Sequence, residues 1–203
     1  MIRNILFDMG QVLIRWVPED LLKARNITGE DAEELLRELF REWEWVALDA
    51  GAITPEDAVK SVCARVSPHL HTDVEYYITS WWKLPFIENP GMHDLVKTLK
   101  ENGYHIYLLS NASIYQKDYC ERIPGSEYFE GRVTSSEVGM LKPDREIFRY
   151  ICRKYDLKVE ECCFIDDGPA NVFAAMQEGM SGIVYHQDKD HLYNALRKHG
   201  IRI

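Results

Sequence analysis

The chain has 203 residues, 46% of them hydrophobic and 28% charged, with a formal net charge of −9. That length suffices for one well-buried core plus a smaller second unit, and the composition is that of an ordered globular chain. The negative charge argues against nucleic acid as a partner. No apolar run approaches the roughly 20 residues that span a bilayer, so no membrane association is expected. The short apolar stretch before Asp8 is too brief for a signal peptide. Five cysteines (Cys63, Cys120, Cys152, Cys162 and Cys163) form an odd set without Cys-x-x-Cys spacing. A reduced, cytoplasmic protein is therefore expected.

The first element is Ile5-Leu6-Phe7, an unbroken apolar run that fits a strand buried on both faces. It stops on Asp8, with Gly10 two residues on. From Arg15 to about Leu84 only helices are predicted. Thr28 and Asp31 stand at capping-box spacing ahead of Ala32, Leu35, Leu36, Leu39 and Phe40, an amphipathic stripe. Thr54-Pro55-Glu56-Asp57 starts another helix, and a third runs near Val74 to Trp82. Asp49-Ala50-Gly51 reads as a turn. The whole stretch predicts a small helical bundle inserted after the first strand.

Beyond Pro85, strands and helices alternate. Met92, Leu95, Val96 and Leu99 mark a helix stopped by Gly103, and Tyr104 to Leu109 form a strand ending in Ser110-Asn111. A helix is expected around Ser113 to Glu121, and another on Ile147, Phe148, Ile151 and Tyr155 after Lys142-Pro143-Asp144. Cys162 to Ile165 form a strand ending in Asp166-Asp167. Val172, Ala175 and Met176 then mark a helix, Ser181 to Tyr185 a strand, and Leu192 to His199 a last helix. This alternation predicts an α/β fold: a Rossmann-like parallel sheet with helices on both faces, its core at 1–14 and 86–203 and a helical cap at 15–85.

In a parallel sheet the carboxyl ends of the strands share one edge, so Asp8, Ser110-Asn111 and Asp166-Asp167 converge there, with Lys142 nearby. Each piece alone also fits an ordinary turn or helix cap. Together, three carboxylates, one lysine and a Ser-Asn pair suit a phosphoryl group and a divalent cation. Oxygen-only ligands point to Mg²⁺.

The order Phe7-Asp8, Leu109-Ser110-Asn111, Lys142-Pro143, Ile165-Asp166-Asp167 resembles the four motifs of the haloacid dehalogenase superfamily over nearly the whole chain. The resemblance implies Asp8 as a nucleophile forming an aspartyl ester and Ser110 with the Asn111 N–H as phosphate ligands. It implies Lys142 as the neutralising cation. Mg²⁺ would then lie on Asp8, the Gly10 carbonyl and Asp167, with Asp166 beside it or acting through water. Gln11, Asn171, Arg15 and Trp16 are further candidates for the loop and the substrate.

Gly10 departs from the pattern of most phosphatases in the superfamily, which carry an acid–base Asp there. Asp8-Met9-Gly10-Gln11-Val12 is similar to a subgroup that includes bacterial α-D-glucose-1-phosphate phosphatases. A small phosphorylated metabolite, a sugar phosphate such as glucose 1-phosphate, is the expected substrate. Trp43, Trp45, Trp81 and Trp82 could form a stacking wall for it, or simply core. The alternatives are a dehalogenase-type hydrolase, against which the Asp166-Asp167 pair argues, and a catalytically weak ligand-binding or regulatory protein. The oligomeric state is left open.

Overall fold

The computed structural model describes residues 1–203. Five strands, β1 (Asn4–Phe7), β2 (His105–Ser110), β3 (Phe129–Thr134), β4 (Cys162–Asp166) and β5 (Ser181–Val184), form one sheet. Their order is β3-β2-β1-β4-β5 and every pairing is parallel. β1 is central, so the first strand read from the sequence is flanked by the two others that end in polar groups. Asn4 to Phe7 pair with His105 to Leu108 on one side and with Cys162 to Ile165 on the other.

Side chains along β1 alternate between two cores, as the strand period of two requires. Ile5 and Phe7 belong to a core of 35 buried residues, and Leu6 to a second of 12. Helices α9 (Arg145–Tyr155) and α10 (Pro169–Gln177) supply Ile147, Phe148, Ile151, Ala174 and Ala175 to the smaller one. The larger takes in α6 (Met92–Glu101) and α11 (Lys189–Lys198), and it also runs without a break into the helices between β1 and α6.

Those helices are α1 (Pro18–Ala24), α2 (Gly29–Leu35), α3 (Trp43–Asp49), α4 (Pro55–Cys63) and α5 (His71–Ser80). Thr54 caps α4 as its sequence predicts, accepting a 3.1 Å hydrogen bond from the Asp57 N–H. Thr28 makes no such bond, and the stripe on α2 continues through one π-helical turn, Leu36–Phe40. Buried Glu44 on α3 receives Arg65 at 2.6 and 2.9 Å and Ser61 at 2.6 Å, which fixes α3 against α4. The two crossings between sheet and helices are tied together: Arg15 N–H donates to the Ile87 carbonyl at 2.7 Å, and Asn89 N–H to that of Leu13 at 3.1 Å.

The structure departs from the expected elements between β2 and α9. β3 was not expected at all, and the helix expected over 113–121 is a single turn, α7 (Gln116–Tyr119), followed by a 3₁₀ turn at Cys120–Arg122. α8 (Ser135–Val138) is likewise short. No helix is long and apolar enough to cross a membrane.

Candidate active site

One residue past the β1 pairings, the chain delivers Asp8, whose N–H is held by the Ile165 carbonyl at 2.9 Å. The neighbouring strand ends supply Ser110 and Asp166. Lys142, on the loop before α9, reaches into the gap between them. Its ammonium group lies 2.7 Å from Asp8 Oδ1, 2.7 Å from Asp166 Oδ2 and 3.1 Å from the Leu109 carbonyl, which uses all three of its donors.

The Lys142 backbone is fixed by Asn111. The Asn111 amide donates to the Lys142 carbonyl at 2.9 Å, and its Oδ1 accepts from the Lys142 N–H at 2.9 Å. Asp166 is wholly buried and saturated. Its Oδ1 accepts from Gly168 N–H at 2.7 Å and Asn171 Nδ2 at 3.0 Å, while Oδ2 accepts from Lys142 and from Asn171 at 3.2 Å. A Cβ on Gly168 would fall 3.0 Å from Asp166 Oδ1 and 2.9 Å from the Asn171 amide, so a side chain here would push on the two groups that hold each other.

Carboxylate oxygens of Asp8, Asp166 and Asp167 lie within 4.8 Å of one another. Two buried carboxylates, Asp8 and Asp166, and the more exposed Asp167 stand against one buried lysine, an excess of negative charge. Burial, reinforced by Asp166 and opposed by Lys142, pushes the Asp8 carboxyl up to about 7. Burial and Asp166 also raise Asp167. Burial works to lower Lys142, but Asp8 and Asp166 outweigh it and raise it. This all-oxygen, excess-anionic donor set fits a hard divalent cation such as Mg²⁺.

Asp8, Asp167, Asn111 and Lys142 open onto a cavity of about 280 Å³. Gly10, Gln11, Trp16 and Asn171 line it too, as do Trp45 and Trp81 from the wall the sequence suggested. Trp16 packs on both, with ring centroids 5.4 and 6.0 Å away. Gln11 takes a left-handed φ of 57°, and its carbonyl accepts from Gln187 at 2.7 Å. Ser110 is buried, forms no part of the cavity wall, and makes one long 3.4 Å contact to the Asn111 carbonyl.

Arg15 does not reach the cavity: it is turned away into a 2.8 Å surface pair with Asp20. Trp43 is 56% exposed, and Trp82 is not in the cavity either. Leu48, Asp49, Ile78 and Tyr119 also line the cavity, unannounced by any motif. Only Asp49 had a sequence signal, the turn it begins.

A model of the haloacid dehalogenase-like hydrolases matches residues 2–179. The chain belongs to that family. This hydrolase is 27% identical to a sesquiterpene phosphatase of Aspergillus oryzae over 88% of its own length and 87% of that protein's. It is 25% identical to a D-ribitol-5-phosphate phosphatase of Bacteroides thetaiotaomicron, covering 88% and 89% of the two chains. It is also 28% identical to a drimenol cyclase of Aspergillus calidoustus over 97% of its length, though it spans only 36% of that protein. A haloacid dehalogenase-family enzyme of B. thetaiotaomicron, crystallised with magnesium and inorganic phosphate, superposes with a TM-score of 0.71 at 24% identity, over 95% of this chain and 100% of that one.

Proposed function

We propose that this hydrolase is a Mg²⁺-dependent phosphatase of small phosphate monoesters that works through an aspartyl phosphate on Asp8. The observation that carries the reading is Asp8 itself: a carboxylate on the cavity wall, one oxygen fixed by Lys142, clustered with two further carboxylates. The other Asp8 oxygen attacks phosphorus, and the Lys142 ammonium offsets charge on the nucleophile and on the transferring group. The Asn111 N–H, on the cavity wall, holds a phosphoryl oxygen; the buried Ser110 hydroxyl would hold another only after turning from the Asn111 carbonyl toward the cavity. Asp8, Asp167 and the Gly10 carbonyl would hold Mg²⁺, which when bound supplies charge neutralisation at the phosphoryl group. Asp166, with its lone pairs already taken by Lys142, Gly168 and Asn171, positions Lys142 and the loop and touches the cation at most through water.

For the leaving group, the reading is a sugar phosphorylated at its anomeric carbon, as in glucose 1-phosphate: an anomeric hydroxyl departs more readily than an ordinary alcohol and asks least of whatever acid replaces the one absent at Gly10. Trp16, Trp45 and Trp81 would take the C–H face of such a ring. The apolar side chains of Leu48 and Ile78 favour a second reading, a hydrocarbon phosphate, the class named by the sesquiterpene phosphatase relative.

The test is a panel of sugar, isoprenoid, amino-acid and nucleoside phosphates, with Mg²⁺ or EDTA, on the native chain and on Asp8→Asn. Loss of turnover with EDTA and with the variant is expected. An undiminished rate in Asp8→Asn would remove the covalent scheme, and a preference for serine or nucleoside phosphates would remove both leaving-group readings.

A further inference from the structure

Gly10 itself brings no acid to the cavity. A Cβ at Gly10 would meet nothing closer than Trp16 Cβ, at 3.9 Å. Across the same cavity stands Asp49, the last residue of α3 and the one carboxylate contributed by the inserted helices. An acid at a helix C-terminus opposes the helix dipole and is a poor choice for stability. Asp49 has no compensating partner, since none of the ion pairs or side-chain hydrogen bonds engages its carboxylate. It faces Asp8 and Lys142, with the Tyr119 hydroxyl as the other titratable group close to it.

Its backbone, by contrast, is anchored to the sheet half of the molecule. The Ser135 hydroxyl of α8 donates to the Asp49 carbonyl. Two residues on, Gly51 has a left-handed φ of 67° and lies so close to α8 that a Cβ would sit 2.5 Å from the Ser136 carbonyl oxygen. The turn is therefore built to seat α3's end against the site, and its acid is left free.

We propose that Asp49 is the general acid and base of this enzyme, supplied from the inserted helices in place of a side chain at Gly10. This rests on the phosphatase reading above. As an Asp8 oxygen bonds to phosphorus, the bond from phosphorus to the ester oxygen breaks. The departing oxygen keeps that electron pair and takes the Asp49 proton, so the alcohol leaves neutral and Asp49 becomes a carboxylate. Asp49 then removes a proton from water as the water oxygen attacks phosphorus. The phosphorus–Asp8 bond breaks, and phosphate and the Asp8 carboxylate are released. Burial and the Asp8 charge, opposed by Lys142, hold the Asp49 carboxyl up near 7, where it can both give and accept a proton at neutral pH.

The experiment compares phenyl phosphate with p-nitrophenyl phosphate, whose leaving group departs without a proton, on the full chain with Mg²⁺. In Asp49→Asn, kcat/KM for phenyl phosphate should fall by about 10² to 10⁴. That for p-nitrophenyl phosphate should change much less, and a burst of p-nitrophenolate equal to the active sites should appear as the phosphoenzyme accumulates. Asp49→Ala should repeat this selectivity. Equal losses on both esters in variants with native circular dichroism, or no loss on phenyl phosphate, overturn the assignment. Turnover surviving in Asp8→Asn would instead overturn the phosphatase scheme beneath it.

Discussion

Asn111 and Lys142 hold each other through two hydrogen bonds of 2.9 Å, one in each direction, across 31 residues of sequence. The Asn111 side chain is thus spent on placing the lysine loop, and only its backbone N–H is left for a phosphoryl oxygen. Asn111→Ala should cost about 1–3 kcal/mol, because the Lys142 N–H and carbonyl lose their partners in a largely buried setting. It should also lower kcat/KM by roughly 10- to 100-fold through displacement of the ammonium group. Urea unfolding beside the p-nitrophenyl phosphate assay checks both. A variant of native activity would show that the loop holds Lys142 without this pair.

The residues that converge on Asp8 could be read from the chain because three of the five strands there are buried apolar runs ending in polar residues. β3 escaped for the opposite reason. Phe-Glu-Gly-Arg-Val-Thr is an edge strand paired on one side only, so it keeps charged and glycine positions that a central strand excludes. Arg15 was misplaced because proximity to the nucleophile in sequence says nothing of Asp20, which claims it at 2.8 Å. Of Asp49 the sequence shows only the turn it begins, not its place in the cavity. Its role depends on α8 docking beneath a turn 86 residues earlier, a contact no local pattern encodes.

Without a cation, the folded chain should lose stability as pH rises. Asp8 and Asp49 have ordinary values of 3.8 that rise to about 7 on folding. Between those values the folded state binds more protons than the unfolded one, so their contribution is complete below about 4 and is lost as pH climbs through 7. Mg²⁺ binds deprotonated carboxylates and should reverse the trend. Thermal unfolding in EDTA and in Mg²⁺ should show a larger gain in Tm at pH 8 than at pH 5. An equal gain at both pH values would mean that the cation does not compete with these protons.

Removing the cation that holds Glu44 should be among the most damaging changes far from the site. The Glu44 side chain is fully buried and Arg65 is about one-third exposed. Burial alone would raise the Glu44 carboxyl, yet the Arg65 and Ser61 hydrogen bonds hold it below its ordinary 4.5. The pair therefore stabilises the chain above that value, and its contribution is lost as pH falls through the depressed one. Arg65→Met strands a buried carboxylate and should cost about 3 kcal/mol at pH 7, the low end for a broken buried pair because Arg65 is partly solvated. The deficit should shrink near pH 4, where Glu44 can take up a proton. A pH-independent loss in chemical unfolding would assign the effect to packing of the arginine stem instead.

Gly10 offers the complementary gain. An aspartate there would stand two residues from the nucleophile, the position that Gly10 leaves without a side chain, and its Cβ would meet only the Trp16 Cβ at van der Waals distance. Gly10 has no left-handed φ, so a side chain adds no backbone strain. Placed in the Asp49→Asn background, Gly10→Asp should recover at least about tenfold of the phenyl phosphate kcat/KM, a fraction of what general acid catalysis is worth. Added to the native chain it should recover little, because one proton donor already serves the leaving oxygen. The four chains (native, each single variant and the double) form a cycle whose coupling is read directly from the rates. Strict additivity across that cycle would mean that the two carboxylates do not perform the same task.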